Sequence, residues 1–295
     1  MRSKGYLLVI SAIFLIAMSA IGSDFMIKSN TPLTAAVAWS ISATISSYIL
    51  LFITKKHKVF IPVVKEHWKI LLLVSFSSVV GTICWFTSIS IIGPGLSAFL
   101  GRIGTLVMVV LSIIFLKERF NLFEGIGGLL TLGGVLLITF SPVEYLGWKV
   151  IYIIVGSSTY HIGQLYAKKH IHKIPPEVFS AIGGTVVLIG VTTYAFLTGE
   201  LHVPVIKNWY VITLVPILAE SLGNYMVLCA MLHIGAGKTY LIRSGFPFII
   251  ILYSYILYKE MLHSHQLIGG LVITTGVVFL TIFRKKDKIT KKSST

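Results

Sequence analysis

The chain has 295 residues, of which 55% are hydrophobic and 12% charged, with a mean hydropathy of +0.89, more apolar surface than one soluble core can hide. Its formal net charge of +15 taken alone would suggest a nucleic-acid partner. The basic residues, however, fall in short runs between apolar stretches and at the C-terminus, which is the pattern of membrane orientation and contact with anionic lipid and argues against nucleic acid.

A hydrocarbon core about 30 Å thick takes about 20 apolar residues per helical crossing. Apolar runs bounded by charge, Pro, Gly or Trp predict helices at 5–27, 33–54, 68–91, 95–116 and 122–140, then 148–167, 177–198, 209–231, 237–258 and 265–283. The expected fold is an all-α integral membrane protein of ten transmembrane helices. Strands are not expected, because barrel strands alternate over about ten residues and these runs are unbroken. The first run follows Arg2 and Lys4 with no small-residue cleavage site before the next, so it reads as a retained helix. Cys84 and Cys229 lie in apolar segments without CxxC spacing and read as small buried residues.

Lys and Arg counts test the topology. With the N-terminus inside, Arg2, Lys4, Lys55, Lys56, Lys58, Lys65, Lys69, Lys117, Arg119, Lys168, Lys169, Lys173, Lys238 and the tail from Arg284 to Lys292 all fall on one side. Lys28, Lys149, Lys207 and Lys259 fall on the other, and Arg102 and Arg243 lie within helices. This asymmetry predicts a multi-pass protein of the cytoplasmic membrane with both termini in the cytoplasm.

Gly95 to Phe140 aligns without a gap on Gly237 to Ile282 at an offset of 142. Lys117-Glu118 falls on Lys259-Glu260, Gly127-Gly128 on Gly269-Gly270, and Gly134 on Gly276, matches that apolar composition alone does not place in register. The implied units are 1–143 and 144–284, with a basic cytoplasmic tail at 285–295. Five is an odd number of crossings, so the second unit enters the membrane inverted, the arrangement from which alternating access is built.

FLKERFNLFEGIGGLLTLGG and YKEMLHSHQLIGGLVITTG resemble the EamA-type transporters of the drug/metabolite transporter superfamily, and the likeness runs over nearly the whole chain. The resemblance implies ten helices around a central cavity lined by the first four helices of each repeat, with the fifth and tenth outside. A Pro usual near the middle of the fourth helix has its counterpart in Pro247, but the first copy carries Thr105 there, which removes the reason for a kink.

Ionisable side chains inside a bilayer cost about 2.5–3.5 kcal/mol each on insertion scales, so those that stay face a polar space or a partner. Arg102 and Arg243 are near-equivalent across the repeat. One reading has them bind an anionic group, most simply a carboxylate, with the planar guanidinium fork. The other reading is structural, as an ion pair with Glu220 or as caps on broken backbone carbonyls. Two arginines against one deep glutamate favour an anionic or zwitterionic solute.

Glu220 and Asn224 share a helix face one turn after Pro216, and a carboxylate there is a candidate for proton exchange. His161 and Gln164 share a face with Ser157, Trp85 shares one with Ser78 and Thr82, and Tyr240 precedes Arg243 by nearly one turn. Each of these has a packing alternative. No second His or Cys stands at ligand spacing, so no metal and no cofactor is expected.

The reading is therefore a secondary transporter of a small organic metabolite, an amino acid or related compound, with export the commoner family theme and a homo-oligomer compatible with it. An intramembrane lipid- or prenyl-modifying enzyme is disfavoured because Mg²⁺ chemistry wants clustered carboxylates, and Asp24 and Asp287 lie near opposite ends of the chain. A non-transporting scaffold gives no role to the deep Arg and Glu.

Overall fold

A computed structural model describes residues 2–104, 106–107, 110–111, 122–139, 147–170, 173–205, 209–234, 243, 245–259 and 262–282. Helix dominates and no strand occurs among the described residues. The helices are α1 (Arg2–Ile27), α2 (Pro32–Ile53), α3 (His57–Leu100), α4 (Leu122–Thr139), α5 (Ile151–His170), α6 (Pro176–Leu197), α7 (Trp209–Pro216), α8 (Asn224–Ile234), α9 (Phe246–Tyr258) and α10 (Ser264–Ile282). A 3₁₀ turn, Gly147–Val150, leads into α5, and a π-helical stretch, Ile217–Gly223, joins α7 to α8.

These segments cover the ten predicted stretches in part. Five described helices are long and apolar enough to cross a membrane by length and composition: Lys4–Ile27, Pro32–Ile53, His57–Leu100, Pro176–Leu197 and Tyr210–Val227. The 20-residue α5 falls short through its polar content, including Ser157, Ser158, His161 and Gln164. Much of the predicted 95–116 crossing, the start of the 237–258 crossing and the tail lie outside the described residues.

The 44 residues of α3 would make a straight rod about 66 Å long, more than twice a bilayer's apolar depth. Two breaks divide it. At His67 the backbone leaves the helical region, and at Gly93 it turns through φ 77°, ψ 166° immediately before Pro94. Only glycine adopts that conformation cheaply, and proline cannot continue the preceding hydrogen-bond ladder. The breaks match the expected limits of the 68–91 helix and the start of the next. The piece before His67, outside the predicted helices, is a short helix.

The helices pair in a pattern that maps onto itself when the two halves are exchanged. α1 runs along α7, the π stretch and α8, the central part of α3 runs along α5, and α2 pairs with α6. α4 and α10 form the closest pair. A Cβ on Gly134 would lie 2.6 Å from Gly269 O and 2.7 Å from Ile273 Cγ1. Reciprocally, a Cβ on Gly276 would lie 2.6 Å from Gly127 O and 2.5 Å from Thr131 Oγ1. Each residue in one contact is the 142-residue counterpart of one in the other, so α4 and α10 meet antiparallel about a local two-fold axis. Small residues bring the backbones together where lipid leaves no hydrophobic drive between helices.

The two ends of the bundle are tied differently. At one end the chain after α6 is held across the α1–α2 turn: Thr31 and Thr34 hydroxyls donate to Glu200 O at 2.9 and 2.7 Å, and Val205 N donates to Asn30 Oδ1 at 2.8 Å. At the opposite end Leu51 and Leu71 pack with Ile174 and Val178.

Candidate functional site

Trp85 stands at the middle of the bundle, half-buried and in contact with three apolar groups at once. These are Leu96, Phe99 and Ile153; Trp39 and Phe86; and Ala17, Ala20 and Ile250. Trp39 is itself 5% exposed and edge-on to Phe86, with ring centroids 6.1 Å apart. Trp68 and Trp148 are 51% and 70% exposed.

Beyond the Gly93 break the chain turns back over α5. A Cβ on Gly104 would collide with His161 Nδ1 and Ser157 O, so the absence of a side chain there lets this segment press against α5 and sets Arg102 near His161. Arg102 Nη2 donates to the main-chain carbonyl of Arg243 at 3.0 Å. Its guanidinium carbon lies 5.4 Å from the centroid of the Phe246 ring. Its Nε is buried and, among the described residues, has no hydrogen-bond partner. One hand of the guanidinium thus caps a carbonyl, and a buried donor stays unused, a costly arrangement in a low-dielectric interior.

Glu220 lies within the π-helical stretch directly after Pro216. Proline removes a backbone donor and crowds the preceding turn, and π-helical widening often marks functional positions. Glu220 is exposed, while Ala219 beside it is 1% exposed. Asn224 Nδ2 donates to Glu220 Oε2 at 3.1 Å and to its carbonyl at 3.0 Å. The expected sharing of a face by Glu220 and Asn224 is therefore a direct contact.

Arg102 and Arg243 are joined by the hydrogen bond to the Arg243 carbonyl, and the Gly104 contact carries the same segment onto His161. Among the described residues, however, no arginine lies within 4.0 Å of Glu220 as an ion pair. Of the structural alternatives for the arginines, the carbonyl cap is realised by Arg102 and the ion pair with Glu220 is not.

His161 Nδ1 lies 2.7 Å from Ser157 O. A carbonyl only accepts, so Nδ1 carries the hydrogen and Nε2 is left as the other end of the ring. Gln164 is half-buried, one turn further along α5, and makes no hydrogen bond to this group. Tyr240 lies outside the described residues, as do Lys117, Glu118, Glu260 and Lys238. Ser78 turns back onto Val74 O at 3.3 Å. Cys84 and Cys229 are free and partly buried. Among the described residues no three His, Cys, Asp or Glu side chains gather as a metal site.

Sequence reasoning missed Phe246, Gly104 and the π stretch. Pro216 and the isolated Gly104 were the visible signals of the latter two. It also missed a cluster at the tied end, where Lys28 Nζ lies 3.1 Å from Asp24 Oδ2 and 3.5 Å from the centroid of the Tyr258 ring, joining α1 to α9.

Comparison with known proteins gives a family match and a structural one. The EamA-like transporter family matches residues 3–140 and again residues 147–282. No curated protein matches the sequence. A solved structure titled only as the crystal structure of a protein superposes with a TM-score of 0.67 at 14% identity, covering 96% of this chain and 98% of its own. At that identity the likeness concerns the fold alone.

Proposed function

From its place in the EamA-like transporter family, to which this chain belongs through two successive matches, we propose that it carries a small organic solute with a carboxylate through the centre of the bundle. Arg102 is the observation that supports this most directly. Its buried Nε donor has no partner among the described residues and stands beside a second arginine, in a chain whose apolar helices and family support a membrane setting.

In this reading a carboxylate takes the donors of Arg102 that Arg243 O leaves free, together with the Arg243 guanidinium. Glu220, supported by Asn224, receives an ammonium group or a proton, and Trp85, His161 and Gln164 border the path. Tyr240 is assigned to the same site by its spacing from Arg243. The solute is an amino acid or a related anionic or zwitterionic compound, and export is the direction.

Alternating access follows if the halves 1–143 and 144–284 are inverted copies rocking about the axis that relates Gly134 to Gly276. Ten crossings of the cytoplasmic membrane with both termini in the cytoplasm fit the lysine asymmetry.

A thermal-shift screen of amino acids and organic acids on detergent-solubilised protein, followed by flux of the stabilising compound in proteoliposomes, tests the reading, since a ligand of the folded state raises apparent stability. Arg102→Ala and Arg243→Ala are expected to abolish both the shift and the flux while the protein still folds. Unchanged flux in both variants defeats the anion site.

A further inference from the structure

We propose that the short helix before His67, residues 57–66, is a binding site for anionic phospholipid headgroups, set in the plane of the membrane surface at the lysine-rich end of the bundle.

The chain leaves α2 through Thr54 and turns at Lys55, whose φ of 57° is unusual for a residue with a side chain. It then forms a helix of about fifteen ångströms, half of what a crossing needs, and breaks at His67 with φ −118° and ψ 17°. One side of this helix is fixed to the protein. Phe60, Val63 and Val64 pack against the cluster of Leu51, Leu71, Ile174 and Val178, and the Phe60 ring lies 6.1 Å from that of Tyr48. The helix is therefore held in place and does not hang as a loose loop.

The opposite side carries Lys58 and Lys65, two turns apart on one face, and both are exposed. Lys55, Lys56 and Lys69 are exposed around them, and so is Lys173 at the same end. The one acid in the segment, Glu66, has Oε1 3.6 Å from His67 Nε2, and five lysines between positions 55 and 69 outweigh it.

Large apolar side chains stand exposed among these lysines. Ile61 is 62% exposed, Val59 41%, Trp68 51%, Phe52 61% and Ile53 72%. In water such a mixture is unfavourable. At the acyl–headgroup boundary the apolar members enter the lipid, while the lysine stems lie along it and raise their ammonium groups to the phosphates. Each lysine near the surface is attracted by anionic headgroups, so the cluster favours an anionic over a zwitterionic lipid. The occupant is the leaflet itself, because a free phosphate would satisfy the charges and leave Ile61 and Trp68 in water.

Trp68 supplies the test. The protein is placed in nanodiscs of phosphatidylcholine and phosphatidylglycerol in which one or the other lipid carries bromine on its acyl chains, and the Trp68 signal is taken as the difference between wild type and Trp68→Phe. The expected result is quenching several-fold stronger by the brominated anionic lipid, falling toward equality at 1 M salt, where screening is nearly complete. Replacing Lys55, Lys56, Lys58 and Lys65 by Gln abolishes the preference, replacing them by Arg keeps it, and glycerol phosphate in solution does not compete. Equal quenching by both lipids, or quenching by neither, overturns the proposal. Should the Gln variant fail to fold, native mass spectrometry of the wild type decides: retained phosphatidylglycerol at low salt supports the site, and loss of both lipids alike refutes it.

Discussion

Arg102 Nη2 donates to Arg243 O at 3.0 Å, so one of the two repeat-related arginines holds the backbone of the other. A lysine at position 102 has a single nitrogen and cannot both cap that carbonyl and present a planar fork to a carboxylate. Hydrogen bonds to charged groups are worth about 1.5–3 kcal/mol. Arg102→Lys is therefore expected to weaken ligand binding by about tenfold or more, and Arg102→Ala to remove it, as read by the ligand concentration giving half the maximal thermal shift. Equal affinity in wild type and Arg102→Lys would show that only the carbonyl cap matters.

Gly134 and Gly276 face backbone carbonyls at 2.6 Å from where a Cβ would stand, and backbone yields little. Gly134→Ala and Gly276→Ala are each expected to cost roughly 1–3 kcal/mol through overpacking, seen as a lower unfolding temperature in detergent. Both substitutions push the same two backbones apart, so the double variant should cost less than the sum of the single ones. Ligand affinity per folded molecule should not change, because neither glycine belongs to the arginine group.

The in-register glycines were legible because the same local sequence answers the same packing demand twice, and Gly127/Gly269 and Gly134/Gly276 stood out from apolar background. Glu220 and Asn224 were legible because a spacing of four has one meaning on a helix. The link between Arg102 and Arg243 O was beyond reach, since it joins positions 141 apart through a main-chain atom that leaves no mark in the residue type. Likewise Val59, Phe60 and Ile61 lie between lysines outside the predicted helices, and the packing of Phe60 on Tyr48 joins positions that no spacing rule connects.

Gly93 separates backbone strain from packing. Its φ of 77° lies where side chains are rarely tolerated, yet a Cβ there would meet nothing within 4 Å. Gly93→Ala should cost about 1–3 kcal/mol from conformation alone. Gly133, in the middle of α4, also has nothing within 4 Å but carries ordinary helical backbone. Gly133→Ala should be neutral or stabilise by up to about 1 kcal/mol. Thermal unfolding of the two variants side by side checks both signs, and equal effects would contradict the assignment of strain to Gly93.

Glu220 accepts from Asn224 at 3.1 Å and has no cation within 4.0 Å among the described residues, so its charge is not committed to holding helices together. If it takes up and releases a proton during transport, Glu220→Gln keeps the shape and an acceptor for Asn224 but removes the titration. Flux in proteoliposomes is then expected to lose its response to an imposed pH difference while equal-pH counterflow of the same solute persists. Asn224→Ala removes the supporting donor and should shift the pH dependence of flux without abolishing it. A Glu220→Gln variant that still responds to the pH difference as the wild type does would assign proton coupling to another residue and leave Glu220 as a solute contact.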